Sequence, residues 1–260
     1  FAFRRPYGVA WDGEDLLITD PDAGRVARID PRGRIRLSPE GTPANPIGLA
    51  VCDIGIVVTD PVEGKVALLN PELRLVRWLA EGLRRPTGVA CDGDRVFVVE
   101  TAAHRVLVLT PEGGREALGE RGTEAGSFNF PTSIALDGQA MLIGDTLNFR
   151  IQRLALPTGN VLGNFGRLGD SPGEMPRTKG LAVDSAGQIW VADAHLDRVT
   201  LYAPDGKLLI SLGSHGNDWA QFSFPAGVAA HPDGRVVVVD SFNRRLQVFQ
   251  LVAPGLARGS

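Results

Sequence analysis

Six times along this chain an apolar, β-branched run ends at an acid, and five residues later a base opens the next apolar run. The acids are Asp20, Asp60, Glu100, Asp145, Asp193 and Asp240, and the bases are Arg25, Lys65, Arg105, Arg150, Arg198 and Arg245. Successive copies stand 40–48 residues apart. Self-similarity at a fixed period of this length marks an architecture in which one supersecondary unit recurs. A second marker opens each unit: RPYGVAWD, NPIGLAVCD, RPTGVACD, FPTSIALD, RTKGLAVD and FPAGVAAHP. A glycine-rich third falls between the later units, as in ALGERGTEAGSFNFP and SLGSHGNDWAQFSFP. Runs such as RVFVV and RVVVVD are too short and too β-branched for helices, and no segment sustains a helical period. Each unit therefore reads as three or four short strands separated by turns.

If acid and base flank a four-residue loop, they face one another across an antiparallel hairpin. An opposite-charge pair in that position contributes about 0.2–1 kcal/mol. The acid also accepts N–H groups from its own turn. These residues are accordingly read as architecture that pins hairpins, while the loops PDAG, PVEG, TAAH, TLNF, AHLD and SFNR are free to vary.

Small sheets repeated at this period predict an all-β, six-bladed β-propeller, whose edges are short and protected. A solenoid is the weaker reading, because its ends would need atypical caps. The expected blades of this single domain span about 4–41, 44–82, 84–122, 129–170, 176–213 and 223–252. Little sequence remains for a fourth strand in the last unit. Either an N-terminal closing strand has been trimmed, or the sixth blade has three strands or a short closing one. Phe128, Phe222, Phe224 and Trp219, in the longer links, are expected to pack between blades. Cys52 and Cys91 lie at different points of neighbouring units and are expected as two buried thiols in preference to a disulfide.

The P-x-G-[VI]-A-x-D marker, the strand ending in Asp and the base five residues on together resemble NHL repeats, over residues 4–252. The segments GDTLNFRIQ, FGRLGDSPGEMPRTKGLAVD and VVDSFNRRLQVF are most similar to bacterial exported six-bladed propeller proteins often encoded near multihaem cytochromes. The resemblance implies an extracytoplasmic place, periplasmic or at the cell surface, with no signal or anchor seen in this chain. It implies a protein partner, with a multihaem cytochrome as the specific expectation. There is no C-x-x-C-H motif, so the chain itself carries no covalently attached c-type haem, and no cofactor is expected.

The net charge of −3 does not advertise nucleic acid, and no apolar run approaches the roughly 18 residues that span a bilayer. Lyases that resemble NHL proteins bind zinc through histidines at the channel mouth, one of them just before the marker glycine. Here that position holds Tyr7, Ile47, Thr87, Thr132, Lys179 and Ala226, none a histidine. His104, His195, His215 and His231 are read as surface polar residues. No inward carboxylate set suits the calcium site of gluconolactonase-type propellers, and no G-x-S-x-G motif is present. No catalytic or metal residue is assigned, and a non-enzymatic interaction platform is expected.

Its expected partner-binding surface is the face where links and loops emerge, carrying Arg4, Arg5, Tyr7, Arg84, Arg85, Arg177, Lys179, Phe149, Phe242 and Arg244. Arginine and aromatics are enriched at interface hot spots, and a basic mouth suits an anionic patch or a carboxylate-bearing ligand. An alternative is an NHL-type lyase or hydrolase with a metal at the mouth. A second is single-stranded RNA binding, which needs a continuous positive track. The interspersed Asp22, Glu63, Asp170 and Glu174 oppose it.

Overall fold

The computed structural model describes residues 2–111 and 113–251. Each repeat forms one antiparallel sheet whose strands lie in sequence order. Blade 1 holds β1 (Val9–Asp12), β2 (Asp15–Asp20), β3 (Arg25–Ile29) and β4 (Ile35–Leu37). Blade 2 holds β5 (Leu49–Cys52), β6 (Gly55–Asp60), β7 (Lys65–Leu69) and β8 (Leu75–Ala80). Blade 3 holds β9 (Pro86–Asp92), β10 (Arg95–Glu100), β11 (Arg105–Leu109) and β12 (Arg115–Leu118). Blade 4 holds β13 (Ser133–Leu136), β14 (Ala140–Asp145), β15 (Arg150–Ala155) and β16 (Val161–Phe165). Blade 5 holds β17 (Thr178–Val183), β18 (Ile189–Asp193), β19 (Arg198–Tyr202) and β20 (Leu208–Leu212). Blade 6 has three strands, β21 (Pro225–Ala230), β22 (Arg235–Asp240) and β23 (Arg245–Gln250).

The first strand of every blade touches the first strand of the next, and β21 returns to β1, so the six sheets close into a propeller. Closure is sealed by Val237 and Val239 of blade 6 packing on Val9 and Ile18 of blade 1. The Trp11 indole also donates to the Ala229 carbonyl at 3.3 Å. Second strands are covered on both faces by neighbouring blades. That is why they read as unbroken Val/Ile/Leu runs with no alternation: β6 and β22 are buried along nearly their whole length. Fourth strands form the rim, and β20 is exposed along most of its length.

The marker glycine has a steric cause. A Cβ on Gly48 would stand 1.9 Å from the Thr87 carbonyl oxygen, and one on Gly8 would stand 2.3 Å from that of Ile47. First strands thus converge at the channel neck more closely than any side chain permits. Threonine in the second strand braces the approach. The Thr59 hydroxyl accepts from Gly48 N–H at 2.8 Å and donates to the Thr87 carbonyl at 2.6 Å. In blade 4 the small and hydroxylic residues change places, with Ser133 on the first strand and Gly144 on the second.

Two expectations need correcting. Cys52 and Cys91 are joined in a disulfide, with Cα atoms 5.6 Å apart. The first strands β5 and β9 run side by side, so an offset of one position along the strand does not keep the sulfurs apart. Phe128 and Phe222 are fully buried as expected, but Trp219 is 67% exposed and only leans on Phe249, with ring centroids 4.9 Å apart.

Candidate functional site

The acid at the end of each second strand reaches back to the link that enters its own blade. Asp20 accepts from Arg4 and Arg5 N–H at 2.7 and 3.0 Å, and Asp193 accepts from Arg177 N–H at 2.8 Å. Asn45, Arg84, Asn129 and Ser223 N–H groups serve Asp60, Glu100, Asp145 and Asp240 in the same way. These carboxylates therefore hold the loops that build the channel mouth.

The bases divide into two sets. Arg105, Arg150 and Arg245 bond directly to Glu100, Asp145 and Asp240, at 2.7, 2.9 and 2.7 Å. Arg25 turns instead to the Ser38 carbonyl and Glu40, and Lys65 to Glu81. Arg198 turns to the carbonyls of Asp170, Ser171 and Glu174. The reason is saturation. Asp20, Asp60 and Asp193 each accept backbone N–H groups from their own turn as well as from the link, through Ala23, Val62, Glu63, His195 and Leu196. Glu100, Asp145 and Asp240 each show one backbone donor, and side chains fill the remaining places.

The loops between acid and base are less free than their sequences suggest. Their last residue is left-handed in all six blades, with φ of 58° at Gly24, 65° at Gly64, 57° at His104 and Phe149, 49° at Asp197 and 57° at Arg244. Four of these carry a Cβ in a region that L-residues enter at a cost.

The channel mouth narrows to a cavity of about 80 Å³. Its ring is Tyr7, Ile47, Thr87, Thr132, Lys179 and Ala226, one residue per blade, each immediately before the neck position. Of the surface residues read from the sequence, this cavity brings together Tyr7 and Lys179. Arg4 and Arg5 fold onto Asp22, through its carbonyl at 3.2 Å and its carboxylate at 2.5 Å. Arg84, Arg85, Arg177 and Arg244 are exposed at the rim, and Phe149 is half-buried. Phe242 stacks on Phe224 with centroids 4.7 Å apart, away from the cavity lining.

Electrostatics set the two ring groups apart. Burial pushes the Tyr7 phenol up to about 12, against the opposing pull of Arg85, Arg177 and Arg5. Burial also brings the Lys179 amine down to about 8, reinforced by Arg177 and Arg85 and opposed by Asp193. Near neutral pH the phenol remains a proton donor, while the amine lies within reach of its neutral, basic form. Lys179 was expected as a partner-binding cation of the mouth, and its desolvation is what the sequence did not reveal. The position itself carried a signal, since it is the one where related lyases place a ligand.

The histidines do not assemble. His104 is buried, not a surface residue: its Nδ1 accepts from Phe130 N–H at 3.2 Å and its ring meets Phe130 edge-on. His195 is exposed, His215 bonds to Asp197 at 2.7 Å, and His231 lies against Trp11. The ring before the neck contains no histidine or carboxylate. Among the described residues no group of three His, Cys, Asp or Glu side chains could hold a metal ion. A zinc or calcium centre of the kind implied by the resemblance does not fit a mouth that presents cations.

The family model described as SMP-30/Gluconolactonase/LRE-like region matches residues 126–214, and the NHL repeat model matches residues 222–249. The chain is a six-bladed β-propeller that carries a gluconolactonase-like region and an NHL repeat. Among solved structures the propeller is similar to a streptogramin B lyase, at 16% identity and a TM-score of 0.68, over 97% of this chain and 85% of the other. It is similar to a gluconolactonase from Xanthomonas campestris, at 16% identity and a TM-score of 0.73, over 95% and 86%. It is also similar to hydrazine synthase from Kuenenia stuttgartiensis, at 12% identity and a TM-score of 0.68, over 96% of each chain. Identities this low establish the shared fold. No curated protein matches the sequence.

These comparisons correct the expectation that the propeller is not an enzyme. The family matched over residues 126–214 is enzymatic, and structural neighbours are named as a lyase and gluconolactonases. That expectation rested on missing histidine ligands, a missing inward carboxylate set and a missing serine motif, and none of these bears on a lysine. No helix among the described residues is long and apolar enough to cross a membrane.

Proposed function

We propose that this propeller is a lyase- or hydrolase-type enzyme working at the channel mouth, with Lys179 as proton acceptor and Tyr7 as proton donor. One observation carries the reading: two titratable groups line one small cavity, where burial keeps the phenol protonated and draws the amine toward its neutral form. In an elimination, the neutral Lys179 amine removes a proton from a carbon next to a carbonyl. In a hydrolysis, it takes the proton of the water that attacks the carbonyl. Either way the Tyr7 phenol gives its proton to the departing oxygen, and the Lys179 ammonium returns one to reset the site. Arg85 and Arg177 supply fixed positive charge for the oxygen on which negative charge develops.

The test is turnover of gluconolactone and streptogramin B, the compounds in the names of the structural neighbours. The wild-type rate should climb as pH passes about 8, where Lys179 gives up its proton. Lys179→Met should lower kcat by about 10²–10⁴, the usual worth of general acid–base catalysis. Lys179→Arg keeps the charge but cannot act as a base, and should fail as badly. A Lys179→Met protein that turns over at the wild-type rate refutes the assignment. The Cys52–Cys91 bridge also supports an oxidising compartment outside the cytoplasm, to be checked by cell fractionation.

A further inference from the structure

The residue three places before each neck position alternates around the ring: Arg5, Asn45, Arg85, Phe130, Arg177 and Phe224. Arginine occupies blades 1, 3 and 5, and in a closed six-bladed ring alternate blades are spaced evenly about the axis. The three guanidinium groups therefore surround one channel. All three act electrostatically on Tyr7, and Arg177 and Arg85 act on Lys179. Arg5 has an anion already, Asp22 at 2.5 Å. Arg85, Arg177 and Lys179 have no ion pair among the described residues. Asp193, the acid that favours the charged form of Lys179, has its oxygens engaged by the N–H groups of Arg177, His195 and Leu196.

Like charges gathered around a half-buried amine oppose one another, and a bound anion would relieve that cost. We infer that the mouth binds a small dicarboxylate, clasped between Arg85, Arg177 and Lys179. Planar guanidinium forks match carboxylates in bidentate geometry, and separated cations match two carboxylates better than one. The inference rests on the mouth being the active site and names the substrate class it would take: an acid with a second carboxylate near the reacting carbon.

Isothermal titration of the full chain at low salt, with malonate, succinate, acetate and inorganic phosphate, tests it. A dicarboxylate should bind about tenfold or more tightly than acetate, and Arg85→Gln with Arg177→Gln should remove about that advantage. Unchanged circular dichroism and thermal unfolding of the double variant would show that the fold survives. Binding near pH 8 should take up protons, because the anion favours the charged Lys179. That uptake is read from the heats in buffers of different ionisation enthalpy and should vanish in Lys179→Met. Acetate binding as tightly as the dicarboxylates, phosphate outcompeting them, or an undiminished double variant overturns the inference. If those failures occur while Lys179→Met still abolishes turnover, the active-site reading stands and only the substrate class falls.

Discussion

Replacing Asp240 by Asn separates the two roles of the repeated acids. Asp240 is fully buried and accepts from Ser223 N–H at 2.8 Å, Asn243 Nδ2 at 2.9 Å, Arg245 Nε at 2.7 Å and Gln247 Nε2 at 3.1 Å. An amide keeps one acceptor oxygen but turns an NH₂ toward donors that have no other place to go. Arg245 is not stranded, because it also reaches the carbonyls of Asn217, Asp218 and Gln221. The cost should therefore fall short of breaking an isolated buried pair. A lost charge-assisted bond at roughly 1.5–3 kcal/mol, plus one unsatisfied donor at about 1 kcal/mol, gives about 3 kcal/mol. Asp193 is the control, since its three donors are backbone N–H groups and Arg198 goes elsewhere. Asp193→Asn loses one backbone-to-carboxylate bond but no bond to a cation, and should cost about 1–2 kcal/mol. Urea unfolding of both variants measures the difference. Equal costs, within about 0.5 kcal/mol, would mean that the bases contribute nothing and that saturation by backbone donors does not explain which pairs form.

The remaining predictions concern the neck, the bridge, the loops and the amine. Gly48→Ala puts a Cβ 1.9 Å from the Thr87 carbonyl and should destabilise by about 3 kcal/mol in urea unfolding, with a disturbed mouth. Cys52→Ser opens a bridge between residues 39 apart and should cost about 2–4 kcal/mol by the same assay, an effect that reduction of the wild type should reproduce. Arg244→Gly removes a left-handed Cβ from an exposed loop and should stabilise by about 0.5 kcal/mol, whereas Arg244→Val should destabilise. Lys179 releases its proton near pH 8 when folded but near the ordinary 10.5 when unfolded. The unfolded chain then binds more protons between those values, so stability should rise with pH across that window and flatten in Lys179→Met.

Much of the fold is legible along the chain because a repeat prints the same local physics six times. Hairpins, a bracketing acid and base, and a glycine where strands converge are all short-range facts, and the period then favours a ring over a solenoid. What sequence left open is what depends on neighbours in space. Whether Arg25 or Arg245 meets its acid turns on how many backbone N–H groups that acid already holds. Whether Cys52 meets Cys91 turns on how two first strands lie side by side. Trp219 looks like core material, yet its link leaves it in water.

The site divides the same way. The positions of Tyr7, Lys179 and the arginines of blades 1, 3 and 5 follow from the repeat register, so sequence alone places them around one channel. Their chemistry does not follow. Only the closed ring removes water from Lys179, sets Arg85 and Arg177 beside it and leaves its one favourable acid bound to backbone. Desolvation and like-charge repulsion depend on three-dimensional distance, and these weaken the hold of Lys179 on its proton, the shift on which its proposed role rests.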